Sequence, residues 1–158
     1  MNENCAFSHL VIRFLPQEPV LDLAADVRSC TDSYATSVST NGNQRPVVIP
    51  GKEGAPGPSV IGGELLFLAL ATCDCNDINR EAARMNIAVQ SVEVEVPGQF
   101  GGPGDPARDA SYRVHVTADA PEERIAALIL HTNTVAELQN TVRSAIPVTL
   151  SGFEASST

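Results

Sequence analysis

Cysteine is the residue type here best suited to chemistry, and four of them stand at positions 5, 30, 73 and 75. The thiolate is the nucleophile in cysteine chemistry, and a free thiol ionises near pH ~8.5 unless a cation or a helix dipole lowers that value. Around Cys73 the sequence supplies polar company at helical spacing. With residues 64–85 helical, at ~100° per residue, Asn76, Asp77 and Arg80 fall near the Cys73 side, whereas Cys75 projects about 200° away. The two cysteines then cannot form a disulfide within an intact helix. The alternative for any one of the four thiols is a buried, inert, small hydrophobe.

Cys30, Cys73, Cys75, His131, Asp74 and Asp77 are also metal-ligand types. Cys73-Asp74-Cys75 is a C-x-C on a helix, not a zinc knuckle, and the spacing of the rest is not diagnostic, so neither a metal nor a cofactor is expected. His131 reads as a polar residue on a helix face or a satisfied interface group. His9 and His115 sit on strand-like segments without sequence partners, His115 facing solvent with Arg113 and Thr117. The Gly/Pro stretches lack the Lys-Ser/Thr ending of a phosphate cradle and read as connections.

Strands are expected over residues 21–30 and 34–40, the second alternating Tyr34, Thr36, Val38 and Thr40 with small residues. Asn41-Gly42 supplies a tight hairpin turn, and a return strand follows over 44–49, held to an edge position by Pro46. Residues 50–63 form a Gly/Pro loop. From 64 to 85 no Pro or Gly interrupts a run of helix formers, apolar in its first half and amphipathic in its second. Residues 87–96 alternate as a strand with a change of phase near Ser91, either a bulge or burial on both faces. A second Gly/Pro loop, 99–109, leads to a strand over 111–117 that pairs with it. Pro121, Glu122 and Glu123 open a helix that runs to Ser144, and 147–152 gives a final strand. The fold class is therefore α+β, with antiparallel strands and two long helices in the order βββαββαβ. A short strand at 9–14 belongs to a leading segment, 1–19, of a single domain spanning 1–158.

Nineteen acidic against 10 basic residues give a formal charge of -9, and no Lys/Arg cluster breaks the excess, which excludes nucleic acid as a partner. No apolar run approaches the ~20 residues of a membrane span. The start carries Glu3 in place of the positive region of a signal peptide. Irregularly spaced cysteines in a chain with 43% hydrophobic residues indicate reduced thiols and a cytoplasmic address.

Gly57-Pro58-Ser59, the stretch Gly63-Glu64-Leu65-Leu66-Phe67-Leu68-Ala69-Leu70-Ala71-Thr72-Cys73, then Arg80-Glu81-Ala82-Ala83-Arg84-Met85-Asn86-Ile87 and the strand at 92–96 resemble the OsmC/Ohr family over roughly residues 34–150. The resemblance implies thiol-based reduction of organic hydroperoxides in dimers whose two chains interlock, with Cys73 as the peroxide-attacking thiol. Glu64, Cys75, Asp77, Arg80 and Glu137 are the binding residues expected around it. Glu137 belongs to a polar run with Gln139, Asn140 and Arg143, where the family places part of its active-site wall; a solvated helix face is the alternative. The chain departs from the pattern twice. Ala136 stands at the second-helix position of the family's resolving cysteine, and no residue from 132 to 142 is a cysteine. Gly63 occupies the usual glutamate position with Glu64 one residue later, and Arg28 or Arg45 is left to supply the activating cation. Cys73 would then act as a single-cysteine peroxidase, or resolve with Cys30 or an external thiol reductant. The expected partners are a second copy in an intertwined homodimer and a small organic hydroperoxide. The competing expectation is a non-catalytic dimer of the same fold that binds a small apolar ligand or a partner.

Overall fold

A computed structural model describes residues 20–30, 33–55, 57–152 and 154. The leading segment 1–19, with its expected strand at 9–14, lies outside them. The chain divides after Ser59 into two units.

In the first unit, β1 (Leu23–Cys30), β2 (Ser33–Thr40) and β3 (Asn43–Pro46) form an antiparallel meander in that order. Asn41 and Gly42 turn between β2 and β3 with φ of 49° and 79°, the pair of positive values that a two-residue hairpin twisting with its strands demands. β3 is an edge strand as expected, but it ends at Pro46, opposite Ser37, and not at residue 49. In the loop beyond, Lys52 N–H donates to the Gly57 carbonyl at 2.9 Å and Ser59 N–H to the Pro50 carbonyl at 2.8 Å.

The second unit opens with α1 (Gly62–Arg84), 23 residues long. Glu64, in its first turn, accepts the Ile61 N–H at 2.8 Å, satisfying a donor that the helix leaves orphaned and placing negative charge at the positive end of the dipole. The other end closes at Asn86, φ 52°. From there Asn86 N–H donates to the Ala83 carbonyl and Ile87 N–H to the Ala82 carbonyl, the paired bonds of a Schellman end with asparagine in the left-handed position. Ile87 is thereby turned into the core, where it is buried.

β4 (Ala88–Glu95) pairs antiparallel with β7 (Arg113–Asp119), and their register shifts between Val89 and Ser91. The change of phase expected near Ser91 is thus a bulge. The stretch 99–109, read as a loop, carries a short ladder of β5 (Gln99–Phe100) and β6 (Ala107–Arg108). Ile78, Ala82, Ile87, Val116 and Leu128 make the core, flanked by Val92, Val114, Ile125 and Ile129.

Two expectations need correction. The helix expected from 121 to 144 is two helices, α2 (Glu122–Val135) and α3 (Glu137–Ser144), broken at Ala136, whose backbone is extended with ψ 106°. Thr132, Asn133, Thr134 and Val135 are poor helix formers, and their polar groups compete for the backbone. Thr134 bonds the His131 carbonyl at 2.7 Å, while Asn140 and Arg143 cap the Thr134 and Asn133 carbonyls at 3.0 and 3.1 Å. The strand expected at 147–152 does not form; these residues are exposed and pair with no strand among the described residues.

Candidate functional site

The break at Ala136 starts a new helix against the middle of α1. Gln139, on the first turn of α3, is buried and donates its amide to the Leu70 carbonyl at 3.2 Å and to Asp74 Oδ1 at 3.3 Å. This joint brings Glu137 and the Leu138 N–H to Cys73. The half-buried Cys73 thiol donates to Asp77 Oδ2 at 3.6 Å. Arg80 pairs with Asp77 at 2.8 Å, Glu137 at 3.2 Å and Glu81 at 2.9 Å. Four of the residues selected from the sequence, Cys73, Asp77, Arg80 and Glu137, therefore meet across α1 and α3.

Glu64 and Cys75 stand apart. Glu64 lies nine residues before Cys73, about 13 Å along the helix axis, and its carboxylate caps α1. Cys75 lines a different cavity of about 250 Å³, with Ala71, Asn76, Val92 and Val94; Asn76, assigned to the Cys73 side, is found there too. The Cys30 side chain and Cys5 lie outside the described residues. Arg28 and Arg45 belong to the first unit, opposite Ala35 and Val38.

Sequence reasoning selected Asp77 but missed that it shares the buried face of α1 with two further acids. Asp74, Asp77 and Glu81 are 1%, 2% and 3% exposed. Their signal was spacing: they recur at i, i+3 and i+7 among Leu70 and Ile78, on the face that must be apolar. Burial alone raises a carboxyl pKa, and the supply of cations decides how much is reversed. At Glu81 burial is outweighed by Arg80, His131 at 3.2 Å and Arg84 at 2.7 Å, and its carboxyl is held below the usual range. At Asp77 burial and the Glu137 charge prevail over Arg80, and the carboxyl is raised. At Asp74 burial and the Asp77 charge prevail over Arg143, and it is pushed up to about 6. Asp74 Oδ2 and Gln139 Oε1 are both buried without a partner. A proton on Oδ2 removes the buried charge and turns that oxygen from an acceptor into a donor.

Burial pushes the Cys73 thiol up, and Asp77 and Glu137 push the same way, while the Leu138 N–H opposes them. The Cys73 sulfur and oxygens of Asp77 and Glu137 lie within 4.8 Å of one another. A borderline divalent ion such as zinc takes a thiolate together with carboxylates, but both carboxylates already have the Arg80 guanidinium as counter-ion. At Gly63, where the resemblance expects a glutamate, a Cβ would lie 2.6 Å from the ring of Phe100, so a side chain there requires that exposed ring to shift. The site is thus a thiol with a proton acceptor at hydrogen-bonding distance and a cation that orders the acceptors.

The OsmC-like protein family matches residues 51–151, well over half of the chain. No curated protein sequence matches. Among solved structures, the chain is similar to an OsmC like protein from Mycoplasma pneumoniae, at 17% identity and a TM-score of 0.58 over 80% of this chain and 89% of that one. It is also similar to an OsmC-like protein of unknown function from Vibrio cholerae, at 11% identity and a TM-score of 0.52 over 78% and 94%. At these identities the two structures share its fold.

Proposed function

Since this chain belongs to the OsmC-like family, we propose that it is a thiol-dependent redox protein that reduces organic hydroperoxides through Cys73. The observation that carries this reading is the Cys73–Asp77 contact at 3.6 Å, which gives the thiol a base with a raised pKa. In the proposed cycle Asp77 takes the thiol proton, and the sulfur attacks one oxygen of the peroxide bond. The O–O bond breaks and the departing alkoxide takes the proton back from Asp77. The products are the Cys73 sulfenic acid and an alcohol. One external thiol converts the sulfenic acid to a mixed disulfide with loss of water, and a second releases the Cys73 thiol and a disulfide. Arg80 acts as a positioning residue, holding Asp77 and Glu137 in place.

The proposal treats residues 1–158 as one OsmC-like domain in an interlocked homodimer at a cytoplasmic address. Ile61, just before α1, and Leu68 on it are 58% and 59% exposed, apolar surface that a second copy would cover. Among the described residues no helix is long and apolar enough to cross a membrane.

One observation favours the competing reading, a non-catalytic dimer that binds a small apolar ligand or partner: the Cys73 thiol is pushed up, away from the thiolate. Peroxide consumption by wild type, Cys73→Ser and Cys30→Ser separates the two. Loss only in Cys73→Ser supports a single-cysteine mechanism, and loss in both makes Cys30 the resolver. No consumption by wild type supports the binding module.

A further inference from the structure

Gln139, Val142 and Arg143 share one face of α3 at spacing i, i+3, i+4, and that face borders a cavity of about 350 Å³. Its walls include Leu70, Val96 and Tyr112; Cys73 is not among them. The volume is in the range of small-molecule sites, and so is the make-up, an apolar lining with a few placed polar groups.

The polar groups differ in what they have left to offer. Gln139 is 5% exposed and closes the floor, its amide nitrogen already given to the Leu70 carbonyl and Asp74. Arg143 is a charge held ready. Its guanidinium donates to the Asn133 carbonyl at 3.1 Å, Asn133 Oδ1 at 2.6 Å and Asn140 Oδ1 at 3.0 Å, and Tyr112 fixes the same Asn133 oxygen from the other side at 2.5 Å. All these partners are neutral. In a chain with nearly twice as many acids as bases, no ion pair joins Arg143 to a carboxylate among the described residues. Three hydrogen bonds occupy part of its five-donor fork and leave donors free. A cation already oriented loses little entropy on meeting an anion.

We propose that this cavity is a second ligand site, which binds a small carboxylate with an unbranched apolar tail. The tail lies among Leu70, Val96, Val142 and the Tyr112 ring, and the carboxylate takes the free donors of Arg143. A single guanidinium suits a monoanion; a phosphate dianion would need a second cation. The proposal is independent of the peroxide reading, because it uses neither Cys73 nor Asp77.

Octanoate is the probe, with octan-1-ol as its neutral counterpart, titrated by calorimetry and by amide shifts in nitrogen-15-labelled protein. The site predicts saturable octanoate binding that perturbs Leu70, Val96 and Val142, with octan-1-ol at least ten-fold weaker. Arg143→Gln should weaken octanoate roughly ten-fold or more, the loss of one charge-assisted hydrogen bond, and leave octan-1-ol unchanged. Val142→Trp, a change at a largely exposed position that fills the mouth, should abolish both. Cys73→Ser should bind as wild type does. The proposal is overturned if octanoate does not saturate, if octanoate and octan-1-ol bind equally, or if Arg143→Gln, with its thermal transition intact, binds octanoate as wild type does. Shifts at these residues that follow protein concentration and ignore octanoate would overturn it too, by showing that a second copy fills the cavity.

Discussion

At Cys73 the chemistry turns on which neighbour holds a proton. Asp77 both raises the thiol through its charge and stands as its base, so removing its charge splits two reactivities. Alkylation needs only thiolate, and in Asp77→Asn the midpoint of the iodoacetamide rate against pH should move down. Peroxide reduction also needs the proton returned to the leaving alkoxide, and should fall by 10²–10⁴-fold, the usual contribution of a positioned acid–base group. Both rates falling together would contradict this assignment. Asp74 gives a stability prediction. Its pKa rises from 3.8 to about 6 on folding, so between those values the folded chain binds more protons than the unfolded one. The stabilisation is complete below pH 3.8 and is lost as pH rises through 6, on the order of 3 kcal/mol in all. Asp74→Asn is neutral at every pH and keeps the shape of the side chain. Urea unfolding should show it more stable than wild type at pH 8, with their difference closing toward pH 4; a difference that does not change with pH would contradict the raised Asp74 pKa.

Among the elements, α3 decides whether a site exists, because its first turn brings Glu137 and the Leu138 N–H to the thiol. Gln139→Ala removes the amide that ties α3 to α1 and leaves the Leu70 carbonyl and Asp74 without it. Denaturant unfolding should show a loss of about 1–3 kcal/mol, and Cys73 should react faster with a bulky thiol reagent. An unchanged thiol rate would show that the joint does not shield it. Much of this layer was legible beforehand. Asn41-Gly42 fixed a hairpin because few residues tolerate two positive φ values in succession. The helix around Cys73 was plain from an uninterrupted run of helix formers, and the bulge near Ser91 from a change of phase. The break at Ala136 was not, since no Pro or Gly marks it; it comes from a threonine- and asparagine-rich turn whose caps are supplied by Asn140 and Arg143, later in the chain. Residues 147–152 have a strand-like composition, yet strand formation needs a neighbour that composition cannot supply. The meeting of Glu137 with Asp77 is likewise tertiary, across 60 positions. Asp74 was visible only as a metal-ligand type and Glu81 only within the stretch that carries the family resemblance; their burial depends on what packs against α1, which spacing along one helix does not supply.

On the scale of the whole molecule, apolar surface is left uncovered. Leu68 and Leu130 are 59% and 69% exposed in the second unit, and Leu23 and Val27 are 71% and 62% exposed in the first. A three-stranded sheet with so little burial has little stability of its own, and patches of this kind mark interaction surfaces. Sedimentation at micromolar concentration should give a dimer, and Leu68→Glu should shift it toward monomer; a wild-type monomer would contradict the interlocked arrangement. The acid excess acts at the same scale, repelling polyanions and leaving small uncharged molecules such as organic hydroperoxides as those that approach without penalty. The central claim is that Cys73 is the thiol that meets peroxide. It is tested most directly by treating the reduced protein with one equivalent of cumene hydroperoxide, trapping sulfenic acid with dimedone, and locating the adduct by peptide mass spectrometry. The account predicts the adduct on Cys73 and its loss in Cys73→Ser; an adduct confined to Cys5, Cys30 or Cys75, or none at all with the peroxide unconsumed, would contradict it.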